Sequence, residues 1–303
     1  MDATPGLLVT DLDGTLLDRS GRVSPRNRAA LQSLRDAGWH VAIATGRTWA
    51  ESHRATDCVA EEALFIGAAG AVLHEAGSGR VLERVTVEAA TALELAREIV
   101  THGHRAHLLL DASLAGHDYL FVGTAELDPA TRWWLADHPI AARDWVDAPD
   151  DAHEHLEGRV LRVGTIGDSA VLAPVARSLA ARWGDALAIR HWSALTADQA
   201  VGSATHMLEA LSPRADKWTM ACTAADRLGI ARSRIVAMGD GLNDLELIRR
   251  APLGVAMANA DPRVAAVADA RTAAHDQDGV AVAIDALLAG QLGAGWRASG
   301  VDA

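Results

Sequence analysis

The chain keeps one rhythm at both ends and breaks it in the middle. Short apolar runs alternate with stretches of helical period, first over residues 7–66 and again over residues 217–288. The runs 7–10 (Leu-Leu-Val-Thr), 41–44 (Val-Ala-Ile-Ala) and 64–66 (Leu-Phe-Ile) read as buried strands. Between the first two lies a helix predicted over 25–37, with Ser24 as N-cap, Pro25 at the first helical position and Gly38 as its stop. Another helix starts about Thr48. Strands separated by helices cannot pair as hairpins, so this order predicts an α/β core: a Rossmann-like, doubly wound parallel sheet with helices on its faces. The rhythm returns with helices at 217–228, 242–250 and 279–288 and strands at 235–238 and 254–257. Residues after Gly290 are rich in Gly and Ala and read as frayed.

The middle has another texture. Helices are predicted over 88–101, 129–136 and 169–182, and strands over 106–110, 119–122, 160–165, 186–190 and 206–211. Five of the nine tryptophans (Trp133, Trp134, Trp145, Trp183 and Trp192) fall here. This reads as an α+β domain, 85–211, inserted into a core made of 1–84 and 212–303.

A net charge of -12 disfavours nucleic acid and anionic membranes, which need clustered Lys and Arg. A small phosphorylated metabolite remains open, because it responds to local charge. No apolar run approaches a membrane span. The first residues lack the basic start and apolar core of a signal sequence. Cys58 and Cys222 have no cysteine or metal-ligand partner nearby in sequence, which fits a reducing, cytoplasmic compartment.

Three strands of the predicted core end in polar residues. The first delivers Asp11 and Asp13, the second Thr45, and the strand at 235–238 delivers Asp240. Ligands of open parallel sheets bind at the carboxyl ends of the strands, so these arrivals describe one site. Asp11 and Asp13 are two residues apart and share a side of an extended chain. Asp240 and Asp244 add two more acids. Converging acids repel unless a cation joins them, and an all-oxygen donor set suits Mg²⁺. No Cys/His spacing supports zinc.

Lys217 is the only lysine, against 27 arginines. A guanidinium is a broad planar fork, whereas an ammonium is a compact charge able to sit among several oxygens. A chain that avoids lysine and keeps one here points either to a position arginine cannot fill or to the chance survival of one surface lysine.

Asp11-Leu12-Asp13-Gly14-Thr15 resembles the DxDGT signature of the haloacid dehalogenase-like superfamily. Thr45, Lys217 and the run 239–244 resemble its second, third and fourth motifs, in order. The long insert, with Gly254-Val255-Ala256-Met257-Ala258-Asn259-Ala260 and Asp278-Gly279-Val280-Ala281, resembles the Cof-type sugar-phosphate phosphatases. The resemblance implies that Asp11 is a nucleophile forming an aspartyl phosphate, and that Asp13 moves the proton of leaving group and water. It also implies that Asp11, the Asp13 carbonyl and Asp240 hold Mg²⁺, with Asp244 supporting the metal site or Lys217. Thr45, Gly46 and Asn243 would then contact phosphate, and Lys217 would sit against Asp11 and phosphate. The same aspartyl-phosphate chemistry serves phosphomutases, and a silent phosphate-binding regulator would keep the fold. Two departures stand out: Ala69 where the subfamily has Asn, and Trp218 where it has Gly after the lysine. Trp218 would shape the site's entrance or pack on the insert.

Outside the motifs, Arg47 is a candidate for orienting substrate, with a surface or insert contact as the alternative. Arg190-His191-Trp192 ends an insert strand and is a candidate specificity patch, with Arg190 and His191 as its ligand-binding members. His102, His104, His107 and His117 would line the insert's substrate face or be ordinary surface histidines. Trp133-Trp134 reads as packing, and His153 and His155, among Asp150, Asp151, Glu154 and Glu157, as a solvated loop.

Overall fold

The structure, a computed structural model, describes residues 5–60, 63–149, 151–193 and 204–301. Residues 1–4, Asp150 and the side chain of Cys58 lie outside the described residues. The chain divides into two compact units, Met1–Glu83 with Asp216–Ala303, and Arg84–Ala215.

The first unit carries an eight-stranded sheet. At its centre, Leu7–Thr10 pairs in parallel with Ile235–Gly239 on one side and His40–Ala44 on the other. Leu7, Leu8 and Val9 are fully buried, which is why the strand reads as an unbroken apolar run rather than an alternating one. Leu253–Ala256 and Ala270–Arg271 extend the sheet one way, and Leu64–Gly67 extends it the other, all in parallel. Two further strands, Val72–Glu75 and the edge strand Val81–Arg84, carry no signal in the sequence pattern. Val72–Glu75 runs antiparallel to Leu64–Gly67. Their residues are mostly half-buried, so they lack the continuous apolar run that marks the inner strands.

The first helix, Pro25–Asp36, starts where Ser24 accepts the Asn27 N–H at 3.0 Å and stops before Gly38, whose φ of +84° suits only glycine. Asn27 is buried and ties three elements together. Its side chain donates to the Leu16 carbonyl at 3.2 Å and accepts from the Ala281 N–H at 3.0 Å. The core on this side joins Leu8, Leu31, Leu34, Ile43, Met238 and Ile284. Residues 291–301 of the tail are held to the sheet rather than frayed. The Arg271 N–H donates to the Trp296 carbonyl at 3.0 Å, the Ala298 N–H donates to the Arg271 carbonyl at 3.0 Å, and Trp296 rests on the core.

The second unit is a six-stranded sheet in the order Ala188–Ser193, Thr205–Leu211, Val160–Asp168, Ala106–Leu110, Tyr119–Val122, Ala142–Trp145. It is antiparallel except for the last pair. Helices Ala89–Thr101 and Ser169–Trp183 share a core with Leu108, Val163, Leu208 and Ala210. The expected strand at 186–190 lies two residues later, at Ala188–Ser193. The segment read as a solvated loop is a short helix, Ala152–Leu156, because Ala152 and Leu156 bury into that core. Among the described residues no helix is long and apolar enough to cross a membrane.

Candidate active site

The loop Leu12–Leu16 after the central strand turns at Gly14, φ +72°. A Cβ on Gly14 would lie 2.3 Å from Asp240 Oδ2, so glycine is what lets the two strand ends approach. Thr15 Oγ1 donates to Asp240 Oδ1 at 2.9 Å. The Asp11 N–H donates to the Met238 carbonyl at 2.9 Å, which fixes the nucleophile candidate to the neighbouring strand.

Lys217 is the first residue of helix Lys217–Arg227, capped by Asp216. The loop at Ala68–Gly70 packs tightly on that start. A Cβ on Gly70 would stand 2.2 Å from the Asp216 carbonyl carbon. To make this turn, Ala68 and Ala69 take φ of +48° and +56°, a region that alanine rarely occupies and that asparagine tolerates. The Ala69 N–H donates to the Thr45 carbonyl at 3.0 Å, so the same loop holds buried Thr45. Asn243, on the turn Leu242–Asp244, comes close to Gly46: a Cβ there would be 4.0 Å from Asn243 Nδ2.

Lys217 is the centre. Its Nζ donates to Asp11 Oδ1 at 2.5 Å and to Asp244 Oδ1 at 2.6 Å, and the residue is 2% exposed. The other oxygen of Asp244 accepts the N–H groups of Asp240 at 3.1 Å and Gly241 at 3.0 Å. Asp11, Asp240 and Asp244 each place one carboxylate oxygen within 4.8 Å of the others. Asp13 does not join them. The Arg47 guanidinium forks onto its carboxylate, with Nε donating to Oδ2 at 2.7 Å and Nη2 to Oδ1.

The charges explain the proton affinities. Burial raises the Asp11 carboxyl well above its ordinary range, Asp244 pushes it further, and Lys217 only partly offsets them. Burial and then Asp244 lift Asp240 to about 7. Burial opposes the Lys217 charge, but Asp11 and Asp244 outweigh it and its ammonium is held charged more firmly than usual. Fully ionised, three buried carboxylates against one ammonium would leave two negative charges uncompensated, which is why the proton affinities of Asp11 and Asp240 rise. A divalent cation supplies that balance, and an all-oxygen donor set is the kind that Mg²⁺ takes. The residues therefore fit such an ion.

Asn259 completes the arrangement and was given no role from sequence. Its Nδ2 donates to the Gly14 carbonyl at 2.8 Å and reaches Asp240 Oδ2 at 3.4 Å, while its Oδ1 accepts the His275 N–H at 3.0 Å. Its one sequence signal is its place just past a strand end, in 254–260. Trp218 is buried, with the Arg250 guanidinium 5.8 Å over its ring.

Arg190 and His191 do not form one patch. Neighbours on a strand face opposite sides. Arg190 lies on the side of Glu209, with Nη1 3.9 Å from its Oε1, and donates to the Ala215 carbonyl at 3.3 Å. His191 turns to His206, Nε2 to Nδ1 at 3.1 Å. His107 is buried edge-on to Phe121, and burial, with Arg162 and Arg105 nearby, lowers it to about 3. Trp134 stacks on His138 at 3.7 Å, which agrees with a packing role for it.

The sequence profile of haloacid dehalogenase-like hydrolases matches residues 8–284. The chain belongs to this family. A 5-amino-6-(5-phospho-D-ribitylamino)uracil phosphatase of Bacillus subtilis, YitU, is 25% identical over 93% of this chain and 97% of its own length. A haloacid dehalogenase-like hydrolase from Bacteroides thetaiotaomicron superposes with a TM-score of 0.74 at 24% identity, covering 94% of this chain and all of that one. An Arabidopsis thaliana protein named chloroplastic endoribonuclease YBEY is 28% identical over 90% of this chain, and the match spans only 45% of that protein.

Proposed function

We propose that this hydrolase cleaves small phosphomonoesters in two steps through an aspartyl phosphate on Asp11. The observation that carries the reading is Lys217 Nζ, held at 2.5 Å from Asp11 with an uncompensated acidic cluster around it. In the first step an Asp11 oxygen bonds to phosphorus as the ester P–O bond breaks, and Asp13 gives a proton to the departing oxygen. In the second step water attacks phosphorus, Asp13 takes its proton, and the Asp11–phosphorus bond breaks. Lys217 orients Asp11 and faces the phosphoryl oxygens, and Thr45, Gly46 and Asn243 contact them. Asp11, Asp240 and the Asp13 carbonyl would hold Mg²⁺, with Asp244 steadying Lys217 and the backbone of the metal loop. The ion would supply charge neutralisation to the phosphoryl group.

The substrate in this reading is a phosphorylated, polyhydroxylated metabolite, since the relative YitU is named for a phosphate on a ribityl chain. The inserted unit supplies its specificity. A cytoplasmic location belongs to the same reading and is supported by a buried free thiol at Cys222.

The test is hydrolysis of p-nitrophenyl phosphate with Mg²⁺, with EDTA, and by Asp11→Asn. Turnover is expected only for wild type with Mg²⁺. Wild-type-like turnover by pure Asp11→Asn removes the covalent route, and full activity after exhaustive chelation removes the metal.

A further inference from the structure

We infer that Asn259 is a positioning residue for the metal site, aiming the Asp240 carboxylate and fixing the turn that carries the Asp13 carbonyl; the inference rests on the function proposed above. Its side chain joins three loops. Nδ2 donates to the Gly14 carbonyl at 2.8 Å and reaches Asp240 Oδ2 at 3.4 Å, while Oδ1 accepts the His275 N–H at 3.0 Å. A backbone N–H can only donate, so the His275 contact decides which end of the amide is oxygen. The two hydrogens of the amide nitrogen are then left for the carbonyl and the carboxylate.

Asp240 is thereby held from both of its oxygens. Thr15 Oγ1 donates to Oδ1 at 2.9 Å, and Asn259 approaches Oδ2. Contacts on both oxygens set the plane of a carboxylate, whereas one contact leaves it free to rotate. The turn at Gly14 needs the same restraint, because a Cβ there would lie 2.3 Å from Asp240 Oδ2. One amide bonded to both fixes their spacing. The backbone around Asn259 is pinned to the same loop. The Met257 N–H donates to the Gly239 carbonyl at 3.1 Å, and the Asp261 N–H donates to the Asp240 carbonyl at 2.9 Å. Asn259 therefore begins from a point fixed relative to Asp240 on both sides.

The neutrality of these donors matters. An ammonium or guanidinium on Asp240 would offset the charge that a cation has to meet. A hydroxyl and an amide orient the carboxylate and leave that charge in place. Lys217 serves the other two acids, Asp11 and Asp244. Mg²⁺ demands near-ideal octahedral geometry, so a carboxylate turned out of plane binds it less well. Partners that orient metal ligands are typically worth about 10–100-fold in metal affinity.

A residue that only stitches loops together would leave a different signature, a loss of stability without a loss of metal affinity. Asn259→Ala should raise the Kd for Mg²⁺ at least about tenfold, measured by isothermal titration calorimetry without substrate. Thermal unfolding in EDTA, followed by circular dichroism, reports the metal-free fold separately. A lowered Tm in EDTA with Kd within about threefold of wild type makes Asn259 a structural stitch and overturns the inference. If Asn259→Ala does not fold, Asn259→Ser, whose hydroxyl is too short to reach Asp240, carries the same comparison and the same two outcomes. If wild type itself binds no Mg²⁺, the proposed metal site fails and takes this inference with it. If wild type binds Mg²⁺ and the folded variant binds it equally well, this inference alone fails.

Discussion

Each unit buries a cluster of charges, and the two are unbalanced in opposite directions. In the first unit, three carboxylates surround one ammonium. In the second, Glu209 stands between two arginines. Arg162 Nη1 donates to its Oε2 at 2.9 Å, and Arg190 Nη1 lies 3.9 Å from its Oε1. The settings differ as much as the signs. Glu209 and Arg162 lie within neighbouring strands, with Glu209 opposite Gly164 and Arg162 two residues along on the same face, and Arg162 also donates to the Tyr119 hydroxyl at 3.2 Å. Asp11, Asp240 and Asp244 lie just past strand ends, where loops converge and backbone N–H groups are available. Charges within strands answer one another across a ladder. Charges at loop ends gather more of one sign than the protein itself neutralises, which leaves work for a ligand.

The largest expected effect breaks the second cluster. Glu209→Leu leaves Arg162 buried without its carboxylate and should destabilise by about 3–5 kcal/mol in urea unfolding. Arg162→Met with Glu209→Leu should recover most of that. A double variant as unstable as the single would mean that the pair has a role its burial does not reveal.

Next, Lys217→Arg keeps charge in the first cluster but not compactness. A guanidinium between Asp11 and Asp244 should displace Asp11, and a shift near 1 Å can cost on the order of a hundredfold in rate. Lys217→Arg should be little better than Lys217→Ala in kcat/KM. An arginine variant within about threefold of wild type would reduce the contrast between the clusters to charge alone.

Acid sharpens the comparison further. His107 is neutral and buried in the second unit, lowered to about 3. The unfolded chain binds its proton near the ordinary value, so the contribution is full above about 6.5 and is lost as pH falls toward 3. Between pH 6.5 and 5 the loss should be roughly 2 kcal/mol. His107→Phe should flatten that limb, and an unchanged limb would place the acid sensitivity elsewhere.

The smallest effect concerns selectivity. Arg190→Ala and His191→Ala face different sides of their strand and should not act alike. Arg190→Ala should shift preference among phosphate esters a few-fold, on the order of 1 kcal/mol, more than it changes p-nitrophenyl phosphate hydrolysis. Equal losses on every ester would make Arg190 a partner of Glu209 and nothing more.

The sequence was most legible where burial is symmetrical. Leu7–Thr10 and Ile235–Gly239 are covered on both faces, so their apolar runs are unbroken and the polar residues that follow stand out. Ala142–Trp145 was invisible because its residues are mostly exposed and only pairing with Tyr119–Val122 makes it a strand. The acids of the site were readable for the same reason as the inner strands. Their partners were not: Asn259 reaches Gly14 across 245 positions, and Arg47 reaches Asp13 across 34. Periodicity carries no information about such approaches. Arg190 and His191 illustrate the converse. Their adjacency in sequence suggests one patch, and the alternation of the strand separates them.

The packed tail bears on how the protein behaves at high concentration. An open sheet ends in a row of amide and carbonyl groups that any extended peptide can pair with. Here the outermost parallel strand is only Ala270–Arg271, and the tail's own backbone bonds along it through Trp296 and Ala298. That side of the sheet therefore meets its surroundings already paired. Residues 291–301 thus occupy an edge that another chain could otherwise extend, and their removal should show first as aggregation rather than as lost catalysis.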